Sequence, residues 1–163
     1  MVLRFLRAWA PVVAMCAVIF AFSQDGNSGR HSDELLGWLL SLFGANTPHL
    51  RHLFNPYFRK LAHVTVYFFL AALSYRGFGM GRSGFQFNAA ARSLLFTVAY
   101  AATDEYHQSF VATRGPSVRD VGIDTCGALL ALLLIWLFTR TRAGAGSLPP
   151  KTPIGVPHVI ESP

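Results

Sequence analysis

Thr103-Asp104-Glu105-Tyr106-His107-Gln108-Ser109-Phe110, with Arg114 and Asp120 beyond it, follows directly on the apolar residues 94–102. A charged side chain at membrane depth costs roughly 2.5–3.5 kcal/mol even on the mildest insertion scales. A chain that sets two carboxylates and a histidine at the end of such a run either leaves the membrane there or builds a polar site within it. The rest of the sequence decides between the two.

Working outward, the other apolar residues also fall in runs and not at amphipathic spacing. Of the 163 residues, 52% are hydrophobic and 13% charged, with a mean hydropathy of +0.37. An ordinary soluble domain carries about 25% charged residues. The expected fold class is therefore an all-α membrane protein: a four-transmembrane-helix bundle with a short interfacial helix in the first outer loop. The net charge of +6 does not argue for nucleic acid, because the basic residues sit beside the apolar runs, where they set topology. Cys16 and Cys126 each lie inside an apolar run and read as buried free thiols.

Residues 1–22 form the first transmembrane helix, a possible signal anchor. Ala21-Phe22-Ser23 would suit signal cleavage, but a retained helix is preferred, with Arg4 and Arg7 snorkelling. A domain over residues 23–142 holds three further spans, at about 60–76, 87–108 and 121–139. Before them, residues 35–43 make a short apolar piece that Ser32-Asp33-Glu34 would cap, too short to span and so expected on the membrane surface. Lys60, His63, Tyr67 and Ser74 recur along one face of the second span; Asp120, Asp124, Gly127 and Ala131 lie along one side of the fourth. Gly127 and Ala128 would let another helix approach closely. Residues 143–163, rich in proline and glycine, read as a disordered tail.

Lysines and arginines flanking the spans orient them. With both termini cytoplasmic, Arg4, Arg7, Arg76, Arg82, Arg92, Arg140, Arg142 and Lys151 lie inside, while the outer segments mix their basic residues with most of the acids. Helical rise then gives depth. With Arg92 at the inner interface, Asp104 lies about 18 Å up the third span in a core about 30 Å thick. His63, Tyr67, Asp104, Glu105, His107, Gln108 and Asp124 thus share the outer third of the membrane, with Lys60, Arg114 and Asp120 at its rim. Buried charges need partners, so Asp104 or Asp124 is expected to pair with Lys60, His63 or Arg114.

Phe22-Ser23-Gln24, Lys60-x-x-His63-x-x-x-Tyr67, Asp104-Glu105-x-His107-Gln108-x-Phe110, Arg114 and Asp120…Gly127 resemble, in order and spacing, the pattern of the VanZ-like membrane proteins. Asp124 stands where that family usually has asparagine, and Ala112-Thr113 replaces its usual Pro-Gly before Arg114. The resemblance implies a multi-pass protein of the bacterial cytoplasmic membrane, and some relatives are linked to lowered sensitivity to teicoplanin-type glycopeptides.

These residues support several functions. A polar clasp could simply join three helices, but two carboxylates, two histidines and an arginine exceed what gluing requires. The preferred reading is a binding site for membrane lipids, specifically an anionic lipid or a lipid-linked cell-envelope precursor, with Arg114 and Lys60 on its phosphate and Asp104 or Asp120 orienting Arg114. An enzyme acting on such a lipid would take Asp104 or Glu105 as general base, with His107 or His63 as partner. A metal site on the two histidines and a carboxylate fits no recognised motif, and no cofactor is expected. Transport comes last: four spans without a repeat would have to assemble as a homo-oligomer.

Overall fold

The structure, a computed structural model, describes residues 1–24, 28–80, 82–111 and 117–145. It is all-helical, with no strand among these residues: α1 (Val2–Gln24), α2 (Ser28–Ser41), α3 (Pro48–Phe78), α4 (Phe87–Gln108) and α5 (Val118–Ala145). Two of them, α1 over Val2–Ser23 and α5 over Val118–Arg142, are long and apolar enough to cross a membrane. α3 and α4 carry more polar side chains and fall short of that measure, so the sequence's four spans reduce to two by length and composition alone.

All four long helices run alongside one another. α1 and α3 are antiparallel, with Trp9 edge-on to Phe78 at 4.9 Å and the Arg76 guanidinium donating to the Arg7 carbonyl over 2.8 Å. α1 and α4 are parallel, tied by the Tyr100 hydroxyl donating to the Cys16 carbonyl over 2.6 Å. α3 and α5 are parallel and very close: a Cβ on Gly127 would fall on the Val64 carbonyl oxygen and lie 3.1 Å from the Val64 Cα. The small-residue stripe read on the last span is thus what lets two backbones touch.

α4 buries Ala89, Ser93, Thr97, Ala101, Asp104, Glu105 and Gln108, small side chains at helical spacing that turn polar toward its C-terminus. Against them α3 sets Tyr67, Leu70, Ala71, Ser74 and Gly77. Ser93 Oγ donates to the Ala71 carbonyl over 2.7 Å and lies 2.8 Å from Ser74 Oγ, both serines being buried. The outside is the reverse. Val13, Val18 and Phe20 of α1 and Leu129, Leu130, Leu133, Leu137 and Phe138 of α5 are exposed. Polar groups inside and large apolar groups outside are the distribution an apolar solvent favours.

The expected surface helix differs from what forms. α2 runs over Ser28–Ser41, so Ser32, Asp33 and Glu34 lie inside it and do not cap it. Each has a partner that makes helix acceptable there: Ser32 bonds Asn55 at 2.8 Å, Asp33 pairs with Arg51 at 2.8 Å, and Glu34 with Arg30 at 3.0 Å. α2 therefore folds back on α3 as an antiparallel hairpin, with Leu35, Trp38 and Leu42 exposed. α3 in turn starts at Pro48, not near Lys60, because Thr47 accepts the Leu50 amide at 3.3 Å and Pro48 occupies the first turn, where a missing N–H costs nothing. α5 extends to Ala145, three residues into the segment read as tail; the remainder of that segment lies outside the described residues. Both cysteines are free, but Cys126 is exposed, not buried.

Candidate functional site

One end of the bundle, where α1 and α4 finish and α5 begins, collects the polar side chains of three helices. Asp104 and Gln108, one turn apart on α4, are both buried, and the Gln108 amide donates to Asp104 Oδ2 over 3.0 Å. Glu105 lies toward α5. Its Oε2 accepts the Ser117 backbone amide at 2.8 Å, while its Oε1 is buried without a hydrogen bond. Asp124 is fully buried, and its Oδ1 sits 3.3 Å from His63 Nδ1. Neither of its oxygens makes an aligned hydrogen bond among the described residues, so proximity and charge hold that pair. With His63 protonated it is an ion pair; with His63 neutral, an ionised Asp124 has no adjacent counter-charge. Asp104 and Glu105 also lie within electrostatic range of His63.

Tyr67 completes the interior of the cluster. It is buried and stacked at 6.5 Å on His63, and its hydroxyl, with the Asp104 carboxylate beside it, makes no well-aligned hydrogen bond among the described residues. Ser23 of α1 is likewise buried with a bare hydroxyl. Unpaired buried polar atoms are rare in folded proteins because each costs about 1–3 kcal/mol. Several gathered at one end mark a polar interior that the described side chains do not satisfy.

At the rim, Lys60 Nζ meets Asp120 Oδ1 at 3.1 Å in an exposed pair. A cleft of about 180 Å³ opens there, lined by Pro56, Arg59, Lys60, His63, Asp120 and Ile123. It presents two permanent cations and a histidine against one carboxylate, which is the balance an anionic group needs.

Of the pairings expected of Asp104 or Asp124 with Lys60, His63 or Arg114, Asp124 with His63 is present, while Lys60 pairs with Asp120 and not with Asp104 or Asp124. His107 does not join the others: its ring packs 4.8 Å from Phe20 of α1. Residues 105 and 107 lie about 160° apart around a helix of 3.6 residues per turn, so Glu105 and His107 cannot form one acid–base pair. Arg114 lies outside the described residues. Among the described residues no three His, Cys, Asp or Glu side chains converge as metal ligands. Reading the sequence alone missed Arg59, whose neighbour Lys60 should have drawn attention to it, and Ser117, which no spacing rule identifies.

The comparisons with known proteins give one match. A family model described as VanZ/LLP1 covers residues 8–139. No curated protein and no solved structure matches the chain.

Proposed function

The chain belongs to the VanZ/LLP1 family, and from that premise we propose a four-span protein of the bacterial cytoplasmic membrane, termini inside, whose outward-facing polar site binds an anionic lipid or a lipid-linked cell-envelope intermediate. The four-span reading draws support from α3 and α4 lying along α1 and α5 with their polar faces turned inward. The cluster of unsatisfied buried groups beside a cationic cleft carries the ligand reading. Arg59 and Lys60 hold the phosphate at headgroup level. Asp124, Glu105 and Tyr67 take hydroxyl or amine donors from the deeper part of the ligand. Arg114 adds a second bidentate grip on the phosphate, a role that rests on the sequence. In the cell this is a role in envelope homeostasis, and sensitivity to teicoplanin-type glycopeptides is the phenotype to follow.

Native mass spectrometry of the detergent-purified protein tests the reading. Wild type should carry a phospholipid or polyprenyl-phosphate adduct that the double variant Arg59→Ala/Lys60→Ala loses. If every adduct persists in the double variant, the outer site is not a lipid site.

An enzyme acting on such a lipid is the second reading, favoured by one observation. Glu105 keeps a buried oxygen free of hydrogen bonds, as a general base requires. Lipid retained but turnover abolished in Glu105→Gln would move the assignment from binder to enzyme.

A further inference from the structure

A second cavity lies at the opposite end of the molecule from the site above. About 560 Å³ in volume, it lies where α1 begins and α3 ends, under the α3–α4 connection. Four arginines surround it: Arg4 and Arg7 from α1, Arg76 from the end of α3 and Arg82 from the connection. Its inner wall is apolar, built by Ala8, Ala72 and Ile135. Every carboxylate among the described residues belongs to residues 33–34 or 104–124, and none of the four arginines pairs with one. Their only described polar tie is the Arg76 guanidinium on the Arg7 carbonyl, which leaves four guanidinium charges lining one concavity without a counter-ion among the described residues.

Topology alone does not call for this arrangement. Orienting a span requires basic residues in its flank, not that they converge. Arg92, Arg140 and Arg142 meet that requirement at the same end without lining the cavity, and Arg140 is spent on the Trp136 ring at 4.7 Å. The cavity wall is also fixed in place. The Gln86 amide donates to the Tyr75 hydroxyl over 3.0 Å, Tyr75 stacks on Phe85 at 5.5 Å, and Trp9 packs 3.1 Å from the position a Gly77 side chain would take. A preformed cationic mouth over an apolar wall suits an amphiphile whose head is a phosphate.

We propose that this cavity is a second lipid site, holding the phosphate of an anionic phospholipid between Arg4, Arg7, Arg76 and Arg82, with the first acyl carbons against Ala8, Ala72 and Ile135. It depends on the chain being embedded in a membrane and not on what the outer site binds. The lipid belongs to the leaflet opposite that site.

Trp9 supplies the readout, because it is the neighbour of the lining residue Ala8 and packs on Phe78 and Gly77 at this end of the bundle. Trp38→Phe/Trp136→Phe leaves it as the sole tryptophan of this chain. In phosphatidylcholine nanodiscs, brominated phosphatidylglycerol should quench Trp9 at a mole fraction several-fold below that required of brominated phosphatidylcholine. Arg4→Gln/Arg82→Gln should bring the two lipids together. Arg92→Gln/Arg142→Gln, which removes the same charge from the same end away from the cavity, should change nothing. An unchanged Trp9 emission maximum in plain phosphatidylcholine certifies the fold of each variant. Equal quenching by the two lipids in the parent, or equal shifts in the two charge variants, overturns the proposal. Inorganic phosphate that reverses the phosphatidylglycerol preference at constant ionic strength would overturn the assignment to a lipid. Arg59→Ala/Lys60→Ala, the test of the outer site, leaves the Trp9 curve in place, so the two sites fail separately.

Discussion

Removing His63 should be far more damaging than removing Asp124. The two atoms in contact are 3.3 Å apart, and Asp124 is 0% exposed with no other partner among the described residues. Breaking a buried pair from one side costs about 3–5 kcal/mol, because a charge is left with nothing to face. Against a total stability of about 5–15 kcal/mol, His63→Ala should remove a large share. Asp124→Asn takes away the charge that required a partner and leaves an amide. Its cost should stay within the penalty of an unsatisfied polar group, about 1–3 kcal/mol. In the asparagine background, His63→Ala forfeits only ring packing, about 1 kcal/mol by the side-chain contact it keeps with Tyr67. The coupling in the double-mutant cycle should therefore be about 2–4 kcal/mol. Equilibrium unfolding in mixed micelles, titrated with sodium dodecyl sulfate, measures all four corners. A coupling under about 0.5 kcal/mol, the usual scatter of independent sites, would mean that this contact carries no energy and that the site's logic has been misread.

Four further outcomes follow from the packing. Gly127→Ala places a methyl on the Val64 carbonyl and should cost about 1–3 kcal/mol by overpacking, read as a lowered unfolding midpoint; no change would mean that α3 and α5 are further apart than described. Ser93→Ala and Ser74→Ala should each cost about 0.6–1.7 kcal/mol and together less than their sum, since both hydroxyls serve the Ala71 carbonyl; strict additivity in the same titration would argue against a shared network. Lys60→Met should lower stability by under about 1 kcal/mol, the ordinary worth of an exposed pair, while reducing lipid retention in native mass spectrometry. Thr47→Ala should cost about 1 kcal/mol locally and speed hydrogen exchange at Leu50 and Arg51 without touching α4 or α5.

Some of this was legible in the sequence for physical reasons. The last helix could be read because its small residues recur at helical spacing in an otherwise apolar run, and Gly127 does meet α3 there. The cost of an unpaired buried charge called for Asp104 or Asp124 to meet Lys60, His63 or Arg114, and only the packing of α3 on α5 selects Asp124 with His63. The start of α3 was present as Thr47-Pro48, a cap and a first-turn proline, yet the polar residues after it looked like loop; their partners on α2 are set by tertiary contact and leave no local trace. His107 was misplaced by treating depth as sufficient: residues at one level of a helix can still face opposite sides, and only the position of Phe20 on α1 shows which. The arginine cavity escaped because each of its members has a sufficient topological reason to be basic. Their convergence depends on how the α3–α4 connection folds.

The direction of synthesis gives the α4 carboxylates a particular history. Glu105 receives its backbone hydrogen bond from Ser117, and the helix that brings Asp124 to His63 is made after both α3 and α4. Until α5 emerges from the ribosome, the hairpin of α3 and α4 holds Asp104, Glu105 and His63 with one face uncovered. On the proposed four-span arrangement, a nascent chain stopped after Gln108 is therefore a poor lodger in lipid, to be sheltered in an aqueous channel until α5 arrives. Release into the bilayer then becomes a checkpoint that reads α5, and on that proposal a lesion in α5 would be felt as failed delivery before it could be felt as lost binding.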